Sequence, residues 1–412
     1  MRTIATITAP TTTTTTTRVT RNAIVRGRVP PPQLRRQHRH DVLSSPCARW
    51  LSSTANIPTA VGPWIDRDGY FQNFTDNAFR SVAVMGEGTH GGGGGDAATT
   101  TKTAVAHVVR NPATQEIIGT VAETPDDVAD EMMEKARIAY GEWKSVPVSQ
   151  RQRVMFRLQH LIRERTDDLA ATITAENGKT LNDAAGDVFR GLEVVETACG
   201  AVSTHMQGQS LRGLGSTVDT TSYRRPLGVT AGICPFNFPA MIPLWMFPLA
   251  VTTGNAMLLK PSEKTPATAC QLALMAAEAG LPPNVLQIVQ GGRNTVSRLC
   301  NDATDTVRAV SFVGSNQAGE WIADTAYRNG IRVQANLGAK NHAVILPDAA
   351  NPRAVTKALV GAAFGAGGQR CMAVSFFFFK EKITTVSSNV SHLCFLRIVY
   401  LVHIALRPDP RG

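Results

Sequence analysis

The chain has 412 residues, enough for two or three domains around buried cores, and a net charge of +10. That charge sits at the ends: residues 1–40 hold eight arginines and no acid, and residues 375–412 hold five basic residues against two acidic ones. The body between them is close to neutral, which argues against a nucleic-acid partner.

The first fifty residues are rich in Arg, Thr, Ser and Pro, and the first acid is Asp41. This is the composition of a mitochondrial transit peptide, with "ARWLSS" as a cleavage region; a disordered tail is the alternative. Residues 51–104, with "HGGGGGDAATTTK", read as a Gly-rich linker or insertion. The folded region is expected to begin near Val105.

Three amphipathic helices follow. The first has Thr124 as N-cap, Pro125 at its first position and Asp126 and Asp127 in its first turn; Val128, Met132, Ala136, Tyr140 and Trp143 form its apolar face. The second starts near Gln150 and buries Val154, Leu158, Leu161 and Ile162. The third, "DVFRGLEVVETAC", buries Val188, Leu192, Val195 and Cys199 and turns Arg190, Glu193 and Thr197 to a polar side.

From Leu227 the pattern changes to short β-branched runs, "LGVTAGIC", "NAMLLK", "NVLQIVQ", "RAVSFVG" and "IRVQANL". The ends of the first four, at Cys234, Lys260, Gln290 and Gly314, lie 24 to 30 residues apart, the repeat of βα units. The fold class is therefore α/β, with a parallel Rossmann-type sheet covered by helices on both faces. Ligands of such sheets bind beyond the carboxyl ends of the strands. "FPAMIPLWMFPLAV" is too short for a membrane span and "LCFLRIVYLVHIAL" carries Arg397 and His403, so no membrane partner is expected.

The residues just after the strands are the ones that could carry chemistry. "PFNFP" places Asn237 on a strand-to-helix turn, where its amide either stabilises an oxyanion or caps the next helix. "KPSEK" places Lys260 and Glu263 where a nucleotide's ribose would sit; a solvated charge cluster is the alternative. A carboxylate there repels a 2′-phosphate and so favours NAD over NADP. In "FVGSNQAGEWI" Gly314 and Gly319 leave room at a helix start and Ser315 can meet a phosphate, although no GxGxxG occurs here. "GGQRC" places Cys371 behind small residues and beside Arg370. The other six cysteines (Cys47, Cys199, Cys234, Cys270, Cys300, Cys394) are scattered, with neither CxxC pairs nor metal-ligand spacing.

These four motifs, in this order, resemble the aldehyde dehydrogenase superfamily. "PFNFPAMIPLWMFPLAVTTGNAMLLKPSE" and "VQANLGAKNHAVILPDA" resemble its CoA-acylating methylmalonate-semialdehyde branch in particular, with the likeness running from about Arg110 to Ser375. The resemblance implies an NAD-binding domain with N-terminal helices over 105–336 and the start of an α/β catalytic domain over 337–375. Residues 376–412, beginning "FFFFKEK", read as a tail foreign to the family that leaves the catalytic domain incomplete.

The resemblance also implies roles. Cys371 is the nucleophile, and Asn237 with the Cys371 backbone N–H holds the oxyanion. Lys260, Glu263 and Lys264 surround the adenosine ribose of NAD, Ser315 the pyrophosphate, and the loop Cys234 to Phe236 forms the inner wall. Hydrolytic members carry a glutamate where this chain has Asn336, so coenzyme A, rather than water, is expected to take the acyl group. The branch converts methylmalonate semialdehyde to propionyl-CoA and malonate semialdehyde to acetyl-CoA with loss of CO2, in valine catabolism in the mitochondrial matrix, as a homotetramer. Arg370 and Arg190 are candidates for the substrate carboxylate, with Glu193 a competing partner for Arg190. The second reading is a catalytically dead NAD-binding fragment or truncated gene product.

Overall fold

The structure, a computed structural model, describes residues 62–80 and 106–379, apart from 202–204, 303, 347 and 350. The basic leader, the Gly-rich run, Cys47, Cys394 and the tail after Phe379 lie outside the described residues.

The central element is a seven-stranded sheet in the order β11-β10-β7-β8-β9-β1-β2. Its parallel part consists of β7 (Val229–Ile233), β8 (Ala256–Lys260), β9 (Leu286–Ile288), β10 (Val307–Val313) and β11 (Arg332–Asn336). These are the five runs expected from the sequence. The chain winds outward from β7 through α5 (Met241–Thr252), β8, α6 (Ala267–Glu278) and β9. It then returns through α7 (Arg293–Cys300) to the other side of β7, building β10, α8 (Asn316–Arg328) and β11. Strand order therefore reverses between β7 and β10, which opens a crevice beyond their carboxyl ends. Asn237 and Ser315 follow those two strands.

β1 (Asn73–Thr75) and β2 (Ala78–Arg80) extend the sheet antiparallel at β9, Phe74 opposite Ile288. Residues 62–80 thus belong to the folded body, contrary to the linker expected over 51–104. Trp64, Phe71 and Phe74 are at most 1% exposed, and that apolar burial offsets the cost of ordering the segment. Asn73 explains why Thr124 is not a cap. The Thr124 hydroxyl accepts from Asn73 Nδ2 at 3.1 Å and donates to the Gln290 carbonyl at 2.6 Å, so the first helix, α1 (Asp126–Trp143), starts one residue later than expected, after Pro125.

The antiparallel pair β3 (Ala106–Arg110) and β4 (Ile117–Ala122) precedes α1. Helices α2 (Val148–Glu164), α3 (Thr166–Asn177) and α4 (Leu181–Cys199) follow. The sequence reading missed α3, whose polar and apolar residues mix around its circumference, and started α4 six residues late. Thr180 caps α4 by accepting from the Asp183 amide at 3.2 Å. The core brings Met132, Met133 and Ala136 of α1 against Ala231, Leu258, Val310 and Ile322. α5 is apolar around nearly its whole circumference because α4 covers one side and the sheet the other. No helix among the described residues is long and apolar enough to cross a membrane.

β5 (Ser210–Gly215) and β6 (Val218–Thr221) form a separate, exposed hairpin. A second small sheet pairs β12 (Asn341–Ile345) in parallel with β13 (Val374–Phe379), and α9 (Pro352–Phe364) connects them. β13 corrects the expected break after Ser375. The phenylalanines form the strand itself, with His342 opposite Phe376 and its ring stacked on Phe376 at 4.9 Å and on Phe378 at 5.5 Å. Four apolar residues in succession carry no period-2 signal, so their strand was invisible to alternation.

Candidate active site

The loop before Cys371 is built from small residues because its backbone demands it. After α9, Ala366, Gly367 and Gly368 all have positive φ (53°, 64° and 76°), a conformation that glycine adopts without strain and larger side chains avoid. Gly365 leaves space for Arg370: a Cβ there would stand 3.0 Å from the guanidinium carbon. Asn341 at the start of β12 fixes the far side, its Nδ2 donating to the carbonyls of Cys371 (2.7 Å) and Ala373 (3.0 Å).

Asn237 reaches this loop from the end of β7. Its Nδ2 donates to the Gln369 carbonyl at 2.7 Å, two residues before the thiol. An amide nitrogen has two N–H groups, so one remains for another acceptor. Cys371 is partly exposed, whereas the other described cysteines are buried. Burial pushes the thiols of Cys199 up to about 11 and of Cys234 and Cys300 up to about 12, and that of Cys270 well above its ordinary value.

Arg370 does not stand free. Its Nη2 lies 3.2 Å from Asp183 Oδ1 in the first turn of α4, and its Nε is buried without a partner. Arg190 lies seven residues after Asp183 on the same helix, hence on the same face. It is exposed and 4.0 Å from Glu193, the intrahelical neighbour foreseen as its competing partner.

Around the crevice, Lys260 is buried and donates to the carbonyls of Pro261 (2.6 Å) and Gly291 (2.8 Å), with Glu263 at 3.6 Å. Burial pushes its ammonium down, and Glu263 opposes this. Two of its three N–H donors are thus occupied within the protein, and the Glu263 carboxylate, 31% exposed, is the group that faces outward. Lys264 places its Nζ 4.9 Å from the Phe236 ring. Cys234 turns its Sγ into the core, 3.7 Å from Met246 Sδ, so a wall formed by the Cys234 to Phe236 loop would not use this thiol.

Ser315 is exposed and caps α8, its Oγ accepting from the Ala318 amide at 3.4 Å while its own proton stays available. The nearby glycines make room for the protein itself. A Cβ on Gly319 would stand 2.0 Å from Leu337 and one on Gly314 2.4 Å from the Phe312 ring. Asn336 ends β11, exposed, its carbonyl accepting from the Gly314 amide at 3.1 Å.

Sequence reasoning missed the residues that hold this arrangement. Asn177 Nδ2 donates to the Phe236 carbonyl at 2.8 Å, and the Lys179 ammonium lies 4.0 Å from the Phe238 ring. Lys179 pairs with Asp187 at 2.7 Å, both fully enclosed, and Asp187 Oδ1 accepts from the Met241 amide at 2.8 Å. Burial pushes the carboxyl of Asp187 up and the ammonium of Lys179 down, and their contact opposes both shifts. Glu176 accepts from the amides of Ala267 and Thr268 and from the Thr268 hydroxyl; full burial still pushes it up to about 7. A lysine and three acids within twelve residues gave the only signal, and spacing alone did not distinguish them from surface charge.

Comparison with known proteins agrees with this architecture. The model of the aldehyde dehydrogenase family matches residues 99–390. The chain belongs to the aldehyde dehydrogenase family. The match extends fifteen residues beyond Ser375, where the family likeness was expected to stop. Over 267 residues, 65% of the chain, the aldehyde dehydrogenase sequence is 55% identical to the mitochondrial acylating methylmalonate-semialdehyde dehydrogenase of Arabidopsis thaliana. It is 50% identical to the corresponding methylmalonate-semialdehyde/malonate-semialdehyde dehydrogenase of Homo sapiens. These alignments cover 43% and 49% of the relatives, so the chain spans about half the length of the curated relatives it matches. Among solved structures, the methylmalonate-semialdehyde dehydrogenase of Oceanimonas doudoroffii superposes with a TM-score of 0.64 at 44% identity, over 67% of this chain and 56% of that one. A similar protein from Sinorhizobium meliloti, complexed with NAD, gives 0.68 at 35% identity, over 82% and 63%.

Proposed function

We propose that the chain carries the cofactor-binding and nucleophilic parts of an NAD-dependent, CoA-acylating dehydrogenase of methylmalonate semialdehyde and malonate semialdehyde. The observation that carries this reading is the hydrogen bond by which the Asn237 amide meets the Cys371 loop at the mouth of the β7/β10 crevice.

In this reading the Cys371 thiolate attacks the aldehyde carbon, and the carbonyl electrons move onto oxygen. The second N–H of Asn237 and the Cys371 backbone N–H receive that charge. When the carbonyl re-forms, a hydride leaves the same carbon and a thioester remains on sulfur. NAD, when bound, accepts that hydride. The residues present suit it: Glu263 presents an outward carboxylate for ribose hydroxyls, steadied by Lys260, while Lys264 and Phe236 flank the mouth. Ser315 and the first amides of α8 suit the pyrophosphate. Asn336 cannot accept a proton from water, so the CoA thiolate attacks the acyl carbon and Cys371 leaves as thiolate. The substrate's carboxylate departs from the thioester as CO2, its C–C electron pair passing into the thioester carbonyl and the α-carbon then taking a proton from solvent. Arg370 and Arg190 are the cations for that carboxylate. The relatives' mitochondrial designations and the basic leader support a mitochondrial matrix location, and the family pattern a homotetramer.

A second reading, a body that binds NAD without turnover, is favoured by the exposure of Val344 (68%) and Phe378 (51%) on β12 and β13. The test is NADH formation from either semialdehyde with NAD and CoA. Formation that Cys371→Ala abolishes, with NAD binding retained, supports the first reading. A variant within tenfold of the parent refutes it, and NAD binding with no NADH from the parent supports the second.

A further inference from the structure

Two carboxylates one turn apart on α4 tie down the two halves of the site. Asp183 holds Arg370, the neighbour of Cys371. Asp187 receives the amide of Met241 at the start of α5, and through Lys179 it reaches the ring of Phe238. Asn177 holds the Phe236 carbonyl on the other side of Asn237. Asn237 is therefore fixed through the residue before it, the residue after it and the helix that follows. Gly191, one turn beyond Asp187, lets the two helices meet closely: a Cβ there would stand 2.5 Å from Leu244 Cδ1 and 3.2 Å from Met241 Cα.

We propose that the enclosed Lys179–Asp187 pair and Asp183, acting from one helix, are positioning residues that set the distance between the Asn237 amide and Cys371. The proposal rests on the reading of Asn237 as oxyanion donor. A buried ion pair contributes little net stability against an apolar replacement, since desolvation offsets most of its attraction. Here its use is geometric. The pair fastens a loop that carries the donor, and an oxyanion donor displaced by a fraction of an ångström loses much of its effect.

Breaking the pair on one side leaves a lone buried charge and a chain at risk of not folding. The informative variant is the double one, Lys179→Met with Asp187→Asn, which removes both charges and keeps an oxygen to accept from Met241. In the full chain we expect NAD affinity within about twofold of the parent, a kcat about 100-fold lower and a nearly unchanged KM. Amide exchange should accelerate about tenfold over 238–241 and 369–371, with β8 and α6 unchanged. Adding Asn237→Ala should cause almost no further loss of kcat, because both changes act on one donor. Unchanged exchange in both segments, or losses that simply add, would overturn the proposal. If Asn237→Ala alone leaves kcat intact while the double variant still loosens those segments, the oxyanion reading fails and the positioning of the loop stands.

Discussion

Asn237 and Gln369 are 132 residues apart in sequence and joined by a 2.7 Å hydrogen bond from side-chain amide to backbone carbonyl. One residue thus serves as a strut for the Cys371 loop and keeps a second N–H for another acceptor. Asn237→Ala should lower kcat by about 10²–10³ and leave NAD affinity nearly intact. Asn237→Asp should lose at least as much, because a carboxylate facing the Gln369 carbonyl repels it. Stopped-flow NADH traces would check both.

The thiols divide by exposure. At pH 8 a thiol with a pKa near 11 or 12 is on the order of 0.1% thiolate or less, and burial also bars the reagent. Iodoacetamide should therefore label Cys371 about 100-fold faster than Cys199, Cys234, Cys270 or Cys300, read peptide by peptide by mass spectrometry. Labelling of Cys300 at a rate like that of Cys371 would contradict the burial of its thiol.

The sequence was most legible where one physical rule dominated. β7, β8 and β9 declared themselves because strands buried on both faces are largely apolar, whereas β10 and β11, partly exposed, were legible from their β-branched residues and their place in the βα repeat. The cysteine loop was visible because only small residues tolerate its backbone. β1 and β2 were missed because three residues each are too short to show a period; β1 is buried where it pairs with β9, and β2 pairs with β1 at the sheet edge. Lys179, Asp183 and Asp187 were missed for the opposite reason. Their importance lies in partners across the fold, Arg370 and Met241, which no local pattern announces.

Glu263 is the outward carboxylate at the crevice, held 3.6 Å from Lys260. It should repel the 2′-phosphate of NADP, so NAD is expected to be the far better cofactor. Glu263→Gln removes the repulsion and should narrow the NAD/NADP ratio of kcat/KM by about tenfold. Equal use of the two cofactors by the parent chain would show that Glu263 is not at the ribose.

Glu176 gives the fold a pH dependence of unusual sign. Its carboxyl is pushed from an ordinary 4.5 up to about 7 by burial, so the folded chain holds a proton that the unfolded chain releases. Its contribution to stability is fully present below pH 4.5 and is lost as pH rises through about 7, by up to roughly 3 kcal/mol. Urea midpoints of the parent should accordingly carry a component that falls across this window. Glu176→Gln should flatten it, although at some general cost where its amide meets the Ala267 N–H. An identical slope in the variant would assign the dependence to other groups.

In the proposed reaction the fate of the thioester turns on Asn336. It stands at the exposed end of β11, where an amide can neither take a proton from water nor raise the pKa of a nearby thiol by charge. Without CoA, NADH formation should stop near one equivalent per active site. With CoA it should continue as steady turnover, since a CoA thiolate attacks the acyl carbon better than water does. Asn336→Glu should allow some CoA-independent turnover and slow the first step, because a carboxylate near the nucleophile disfavours its thiolate. The measurement is a pair of absorbance traces for each protein, with and without CoA. Equal steady rates in the parent would mean that another base activates water, and the chain would then belong with the hydrolytic members of its family.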